Sequence, residues 1–110
     1  MRIPADATIA DDKLMDYLLV QRPWDDKSGF LAQAGFFAKN WTELRDAIRN
    51  LADTAEAIED GRNEYGVFYR NDGKLAGPGG TLSVTLIWLR RDTDSRFYFV
   101  TLKPHRERKP

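Results

Sequence analysis

Apolar side chains in the first half of the chain recur with the period of an α-helix. Residues 11–20 show this spacing at Leu14, Tyr17 and Leu18, and residues 25–34 show it at Phe30, Leu31 and Ala34. Each segment predicts a short helix. Gly35 is expected to end the second one, because glycine readily adopts the left-handed conformation that closes many helices.

The third helix has the clearest pattern. Asn40 is predicted to be its N-cap, and Glu43 follows three residues later, as in a capping box with asparagine in place of serine or threonine. The apolar stripe that follows consists of Leu44, Ala47, Ile48, Leu51, Ala55 and Ile58. Gly61 is expected to end this helix after about five turns.

After Gly61 the period of the apolar positions changes from 3.6 to 2, which predicts strands. Four are expected, at residues 65–70, 74–76, 81–91 and 96–103. Asn71-Asp72-Gly73 predicts the first hairpin turn, and residues 77–80 predict the second. The last strand is apolar on both faces, with Phe97 and Phe99 on one and Tyr98, Val100 and Leu102 on the other. We expect its second face to be covered or to bind a ligand.

Helices followed by strands predict an α+β fold, in which about three N-terminal helices pack on one face of a four-stranded antiparallel meander. The 110 residues are expected to form a single domain. Its helical half spans about residues 1–61, its sheet half about 62–104, and its basic tail 105–110.

Composition excludes several classes of protein. The chain is 42% hydrophobic and 31% charged, unlike a disordered polyelectrolyte. It has no cysteine and one histidine, His105, which argues against a disulfide framework, a cysteine nucleophile and a histidine-rich metal site. We therefore expect no metal and no cofactor. The absence of a long apolar run or a secretory signal predicts a cytoplasmic protein without a membrane partner.

The balanced net charge hides a strong asymmetry along the chain. Residues 1–60 hold 7 basic and 12 acidic residues, whereas residues 61–110 hold 10 basic and 5 acidic ones. A basic sheet that carries aromatic side chains suits an anionic polymer such as a nucleic acid, because cations bind phosphates and rings stack on bases. The alternative is that the same cations protect the sheet edges and solubilise the tail.

Several short strings occur in an order found in small bacterial toxin domains. They are Asp25-Asp26-Lys27-Ser28-x-Phe30-Leu31 with Gly35-Phe36, Glu64-Tyr65-Gly66-x-x-Tyr69, Leu75-x-Gly77-Pro78-x-Gly80, Val84-x-x-Ile87-Trp88 and Phe99-Val100-Thr101-x-x-Pro104. Over nearly the whole chain they resemble an uncharacterised bacterial family of small stand-alone toxin-like domains. The order of helices and strands is more distantly similar to the barnase–EndoU–colicin–RelE superfamily of small RNases.

The resemblance implies metal-independent cleavage of RNA on the open face of the sheet, with a base, an acid and cations that stabilise the phosphorane. One candidate set is free of histidine and consists of Lys27, Arg62 and Tyr69, with Thr101 as a further hydroxyl. The alternative set pairs Glu64 as base with His105 as acid. The candidate substrate-binding residues are Tyr65, Arg70, Arg90 and Lys103.

These observations leave three classes of function open, the last of which is a structural or accessory domain that binds no ligand. The first is an RNase-like toxin, which a cognate antitoxin or immunity protein would control. The second is a non-enzymatic interaction protein, itself an antitoxin, immunity or accessory protein, whose acidic helical half would bind a basic partner.

Overall fold

Two short helices form the first part of the helical layer. In this computed structural model, which describes residues 1–19 and 27–105, helix α1 spans Asp11–Lys13 and continues directly as a π-helical segment, Leu14–Leu18. Helix α2 spans Lys27–Ala32. The predicted limits of these helices at Val20 and Asp25 lie outside the described residues. Gly35 has a φ of +85°, which confirms the predicted left-handed cap after α2.

Helix α3 spans Trp41–Thr54 and follows a short 3-10 turn, Ala38–Asn40. Asn40 is at the N-cap, as predicted, but its side chain does not cap a helical N–H. Its Oδ1 accepts a hydrogen bond from the backbone N–H of Phe37 at 2.7 Å, and its Nδ2 donates to Glu43 Oε2 at 2.6 Å. The expected pairing of Asn40 with Glu43 therefore forms between side chains.

The C-terminal end of α3 differs from the prediction. The helix ends at Thr54 rather than at Gly61, and Ala55 is already extended, with a ψ of 142°. The chain leaves the helix because Ala57 is buried and its N–H bonds to the carbonyl of Met1. Ile58, which was assigned to the helical stripe, is instead 49% exposed in strand β1, Ile58–Arg62.

Strand β2, Gly66–Gly77, unites two predicted strands, so the hairpin predicted at Asn71-Asp72-Gly73 is wrong. The strand continues because Asn71 faces the core, where it is 1% exposed and accepts a hydrogen bond from the indole of Trp88. Gly73 lies against the Leu51 side chain of α3. The chain turns at residues 78–79, which confirms the second predicted turn, at residues 77–80.

Strand β3 spans Gly80–Arg91 and strand β4 spans Phe97–Pro104, close to their predicted limits. The four strands pair antiparallel in the order β1-β2-β3-β4, and the helices pack on one face, which confirms the α+β fold. This covered face buries Val67, Tyr69, Leu75, Leu82, Val84, Leu86, Trp88, Phe97, Phe99 and Leu102. The opposite face, called the open face below, carries Phe68, Arg70, Asp72, Lys74, Ser83, Thr85, Ile87, Leu89, Arg91, Tyr98, Thr101 and Lys103.

A β-bulge in β4 changes which side chains reach each face. Phe99 is opposite Trp88 and Thr101 is opposite Ile87, so Val100 is the extra residue. Beyond the bulge Leu102 joins Phe97 and Phe99 on the covered face, and its predicted placement with Tyr98 is wrong. The bulge also places Thr101 and Lys103 on the open face.

Both outer strands of the sheet are charged or covered. Thr8 lies beside β4 and exchanges backbone hydrogen bonds with Phe97 and Phe99 at 2.9 and 2.8 Å. All five residues of β1 are exposed.

In the described ranges, no helix has the length and apolar character needed to cross a membrane.

Candidate functional site

A polar cluster lies on the open face where β2 and β3 pair at Asp72 and Thr85. Asp72 is half-buried and is the common partner of the cluster. It accepts hydrogen bonds from the Thr85 hydroxyl through Oδ1 and from Arg70 Nη1 through Oδ2, the latter at 2.7 Å. Arg70 Nε also lies 3.9 Å from Asp60 Oδ1 in β1. The cluster therefore places a half-buried arginine between two carboxylates.

His105 joins this cluster at the end of β4. Its backbone N–H donates to the carbonyl of Ser83 at 2.9 Å, which fixes the residue beside β3. Its Nδ1 lies 3.2 Å from the Thr85 hydroxyl and 3.4 Å from Asp72 Oδ1. A shallow depression of about 200 Å³ adjoins the ring. The histidine predicted to belong to the tail is thus anchored on the sheet.

The hydrogen bonds determine which nitrogen of His105 carries the proton. The Thr85 hydroxyl has one proton, and it donates that proton to Asp72. The contact of Thr85 with His105 therefore requires Nδ1 to be the donor. In the neutral ring Nε2 then has a free lone pair, so this nitrogen can accept a proton.

Two further predicted residues lie next to the cluster. Lys103 is directly opposite Thr85 on β4, and Thr101 is opposite Ile87, the neighbour of Arg70 on β3. Side chains directly opposite each other in a sheet have Cβ atoms about 5 Å apart. The open face thus brings together four of the predicted site residues: Arg70, Thr101, Lys103 and His105.

The residues of the histidine-free set occupy different parts of the molecule. Tyr69 is on the covered face, 8% exposed, with its ring 5.3 Å from that of Phe97. Lys27 begins α2 in the helical layer, and its Nζ donates to the Tyr17 hydroxyl at 3.4 Å. Neither residue belongs to the open face.

Arg62 forms a bidentate ion pair with Asp92, in which both nitrogen–oxygen distances are 2.9 Å. This contact lowers the pKa of Asp92, chiefly through the hydrogen bond from Arg62, and raises the pKa of Arg62. The pair ties the end of β1 to the loop after β3. Arg62 therefore has a structural partner in the described chain.

Glu64 and Tyr65 lie in the β1–β2 loop, at the end of the sheet away from His105. They line a second depression with Leu89 and Arg91, whereas His105 lies beside Ser83. Since β3 advances about 3.3 Å per residue, the two ends are about 20 Å apart. Glu64 and His105 therefore do not face one phosphate.

The last predicted binding residue, Arg90, is half-buried and pairs with Val67 and Phe97 of the covered face.

Regarding metal ligands, the described residues contain no group of three or more histidine, aspartate or glutamate side chains that could hold an ion.

Asp72 and Thr85 were not among the predicted site residues. Asp72 was assigned to a turn, and Thr85 was taken as an ordinary position of a strand. The signal was the alternation Val67, Tyr69, Asn71, Gly73, Leu75, which continues through the supposed turn and leaves Asp72 on the polar face.

Comparison with known proteins identifies the family. Neither a search of the curated proteins nor a search of the solved structures found a match. The matching family model is described as a domain of unknown function, and it covers residues 4–106. Nothing in these comparisons indicates a toxin or an RNase superfamily. The expected uncharacterised family that spans nearly the whole chain is confirmed: the protein belongs to the DUF6883 family.

Proposed function

We propose that the protein cleaves RNA on the open face and that His105 is the general base. The observation that supports this proposal is the hydrogen-bonded cluster that directs Nδ1 of His105 toward Asp72 and Thr85. A base whose orientation is set by a carboxylate is a recurring arrangement in proton-transfer sites. Here it lies beside two cations, Arg70 and Lys103.

The reaction uses the 2′-hydroxyl of the RNA as nucleophile. His105 Nε2 accepts the 2′-hydroxyl proton while the 2′-oxygen forms a bond to phosphorus. The bond from phosphorus to the 5′-oxygen breaks, and the Lys103 ammonium protonates that oxygen. The products are a 2′,3′-cyclic phosphate and a 5′-hydroxyl, and solvent afterwards returns a proton from His105 to Lys103.

Arg70 supplies the electrostatic part of the mechanism. The phosphorane carries more negative charge than the ground-state phosphodiester, so a fixed cation stabilises it preferentially. Arg70 is held by Asp72 at 2.7 Å and by Asp60 at 3.9 Å. It therefore needs little reorganisation when the charge develops.

The test is cleavage of a single-stranded RNA, with a chelator present, by wild type and two alanine variants. His105→Ala is expected to abolish the cyclic-phosphate product, and Lys103→Ala to slow its formation by about 100-fold or more. Lys39→Ala is the matched control, because Lys39 is an exposed lysine of the helical layer. Cleavage by His105→Ala at the wild-type rate, or no cleavage by wild type, would contradict the proposal.

A second candidate function is binding of a basic partner protein, as in an antitoxin or immunity protein. It is favoured by the solvent-facing side of α3, where Glu43, Asp46 and Asp53 are exposed. Glu43 and Asp46 also line a groove of about 320 Å³ beside Pro78. If this is the function, Asp46→Lys abolishes partner capture while His105→Ala does not.

A further inference from the structure

A second, larger depression lies at the loop end of the open face. It measures about 550 Å³ and is lined by Glu64, Tyr65, Leu89, Arg91, Asp92 and Thr93. Leu89 supplies an apolar surface, and the Tyr65 side chain is 63% exposed at the margin. The depression therefore combines a solvent-facing aromatic ring with an apolar wall, the kind of surface on which a base can stack.

Arg91 presents a flat cation in this depression. Its guanidinium carbon lies 4.0 Å from the centroid of the Tyr98 ring, so the two groups are stacked. The ring is held in turn, because the Tyr98 hydroxyl donates to Asp94 Oδ2 at 2.6 Å. Arg91 is exposed to solvent and lines the depression.

The walls of the depression are tied together by hydrogen bonds. Asp92 accepts both bonds from Arg62, and its backbone N–H donates to the carbonyl of Tyr65 at 3.0 Å. Asn63 Oδ1 accepts the N–H groups of Tyr65 and Gly66 at 2.8 and 3.2 Å. The position of the Tyr65 backbone is therefore set before any ligand binds, which reduces the entropy lost on binding.

The depression shares the open face with the His105 cluster. Leu89 follows Thr85 by four residues on β3, which corresponds to about 13 Å along the strand. We infer that the depression holds a nucleobase of the same single-stranded RNA, stacked against Arg91 and Tyr65, a few nucleotides from the phosphate at His105. This inference rests on the proposed function, to which it adds a base-binding subsite.

Stacking can be separated from phosphate attraction with two probes of equal charge. One is a short fluorescein-labelled single-stranded DNA, which lacks the 2′-hydroxyl and stays intact, and the other is the same backbone with abasic positions. We expect wild type to bind the base-containing probe about tenfold more tightly than the abasic one, as stacking on an aromatic side chain predicts. Tyr65→Ala and Arg91→Lys should remove most of this preference and leave the affinity for the abasic probe nearly unchanged.

Two matched control variants change an aromatic ring and a stacked arginine that lie outside the depression. Phe37→Ala removes another exposed aromatic ring, and Arg45→Lys breaks another guanidinium stack, 5.4 Å from the Trp41 ring. Both should retain the wild-type preference. If wild type cleaves RNA but Tyr65→Ala and Arg91→Lys keep the full preference for bases, the subsite is wrong and the proposed function stands. If wild type neither cleaves RNA nor binds either probe, both are wrong.

Discussion

Trp88 donates its indole N–H to the side-chain oxygen of Asn71 across 3.2 Å, and both side chains are buried between the sheet and the helices. Among the described residues, the Asn71 amide nitrogen is the buried side-chain polar atom that has no hydrogen-bond partner. The indole is thus the hydrogen-bond partner that keeps the Asn71 side chain from being wholly unsatisfied in the core.

Trp88→Phe should therefore destabilise the fold by about 1–3 kcal/mol through the unpaired amide alone, in addition to the effect of the smaller ring. Chemical denaturation of wild type, Trp88→Phe, Asn71→Leu and the double variant measures the coupling between the two side chains. The loss caused by Trp88→Phe should be smaller in the Asn71→Leu background. Equal losses in both backgrounds would mean that the hydrogen bond contributes nothing.

Gly77 of β2 packs against the turn that follows α2. A Cβ at this position would be 2.3 Å from the carbonyl oxygen of Ala34 and 2.8 Å from the Phe36 ring. Gly77→Ala should lower the free energy of unfolding by about 1–3 kcal/mol, because backbone must move to relieve the overlap. Gly73→Ala is the matched control, since its Cβ would meet the movable end of Leu51 and should lower stability less. The reverse order in urea denaturation would contradict this packing.

Acid should weaken the Arg62–Asp92 ion pair, which connects β1 to the loop after β3. The hydrogen bond from Arg62 lowers the pKa of Asp92 below its ordinary 3.8. A carboxylate whose pKa is lower in the folded state stabilises the fold above its ordinary pKa, and this contribution is lost as the pH falls through the lowered value. Wild type should therefore be more stable than Asp92→Asn at pH 7, and the difference should vanish in acid well below pH 3.8. A difference that is constant with pH would show that the ion pair does not contribute.

The proton position on His105 can be observed directly. If Thr85 donates to Asp72, nitrogen chemical shifts at a pH where the ring is neutral will show the tautomer with the proton on Nδ1. Asp72→Asn should favour the other tautomer and slow RNA cleavage by about 100-fold, because an amide N–H replaces the carboxylate oxygen that faces Nδ1, whereas Thr85→Ser should retain both the tautomer and the rate. If the neutral His105 ring of wild type carries its proton on Nε2, His105 is excluded as the general base.

Much of the fold follows from the hydrophobic pattern, because burial against one layer imposes a period on each element. The stripe from Leu44 to Leu51 and the alternation from Leu82 to Trp88 place the covered faces correctly. Strand β1 was missed because its exposed residues, Ile58–Arg62, carry no alternation, and its pairing with β2 comes from tertiary contacts. The first predicted turn is wrong because Asn71-Asp72-Gly73 has good turn chemistry but lies where the strand continues, whereas the second, at residues 77–80, is confirmed.

The residues of the candidate site could be proposed individually from the sequence, but their arrangement could not. Arg70, Lys103 and His105 were recognised by their chemistry, and the structure places all three on the open face. Their convergence depends on the register of β2 with β3 and on the bulge at Val100, and neither has a local sequence signal. Tyr69 shows the opposite case, since a chemically suitable residue belongs to the core.

The bulge at Val100 makes the C-terminal strand sensitive to length rather than to composition. With one residue fewer between Phe99 and Thr101, every later side chain would exchange faces, so that Lys103 would point into the helical layer and Leu102 into solvent. In DUF6883 relatives, an insertion or deletion here should be compensated within a residue or two. Alignments that place a gap at this point without such compensation would misassign the charged positions of the open face.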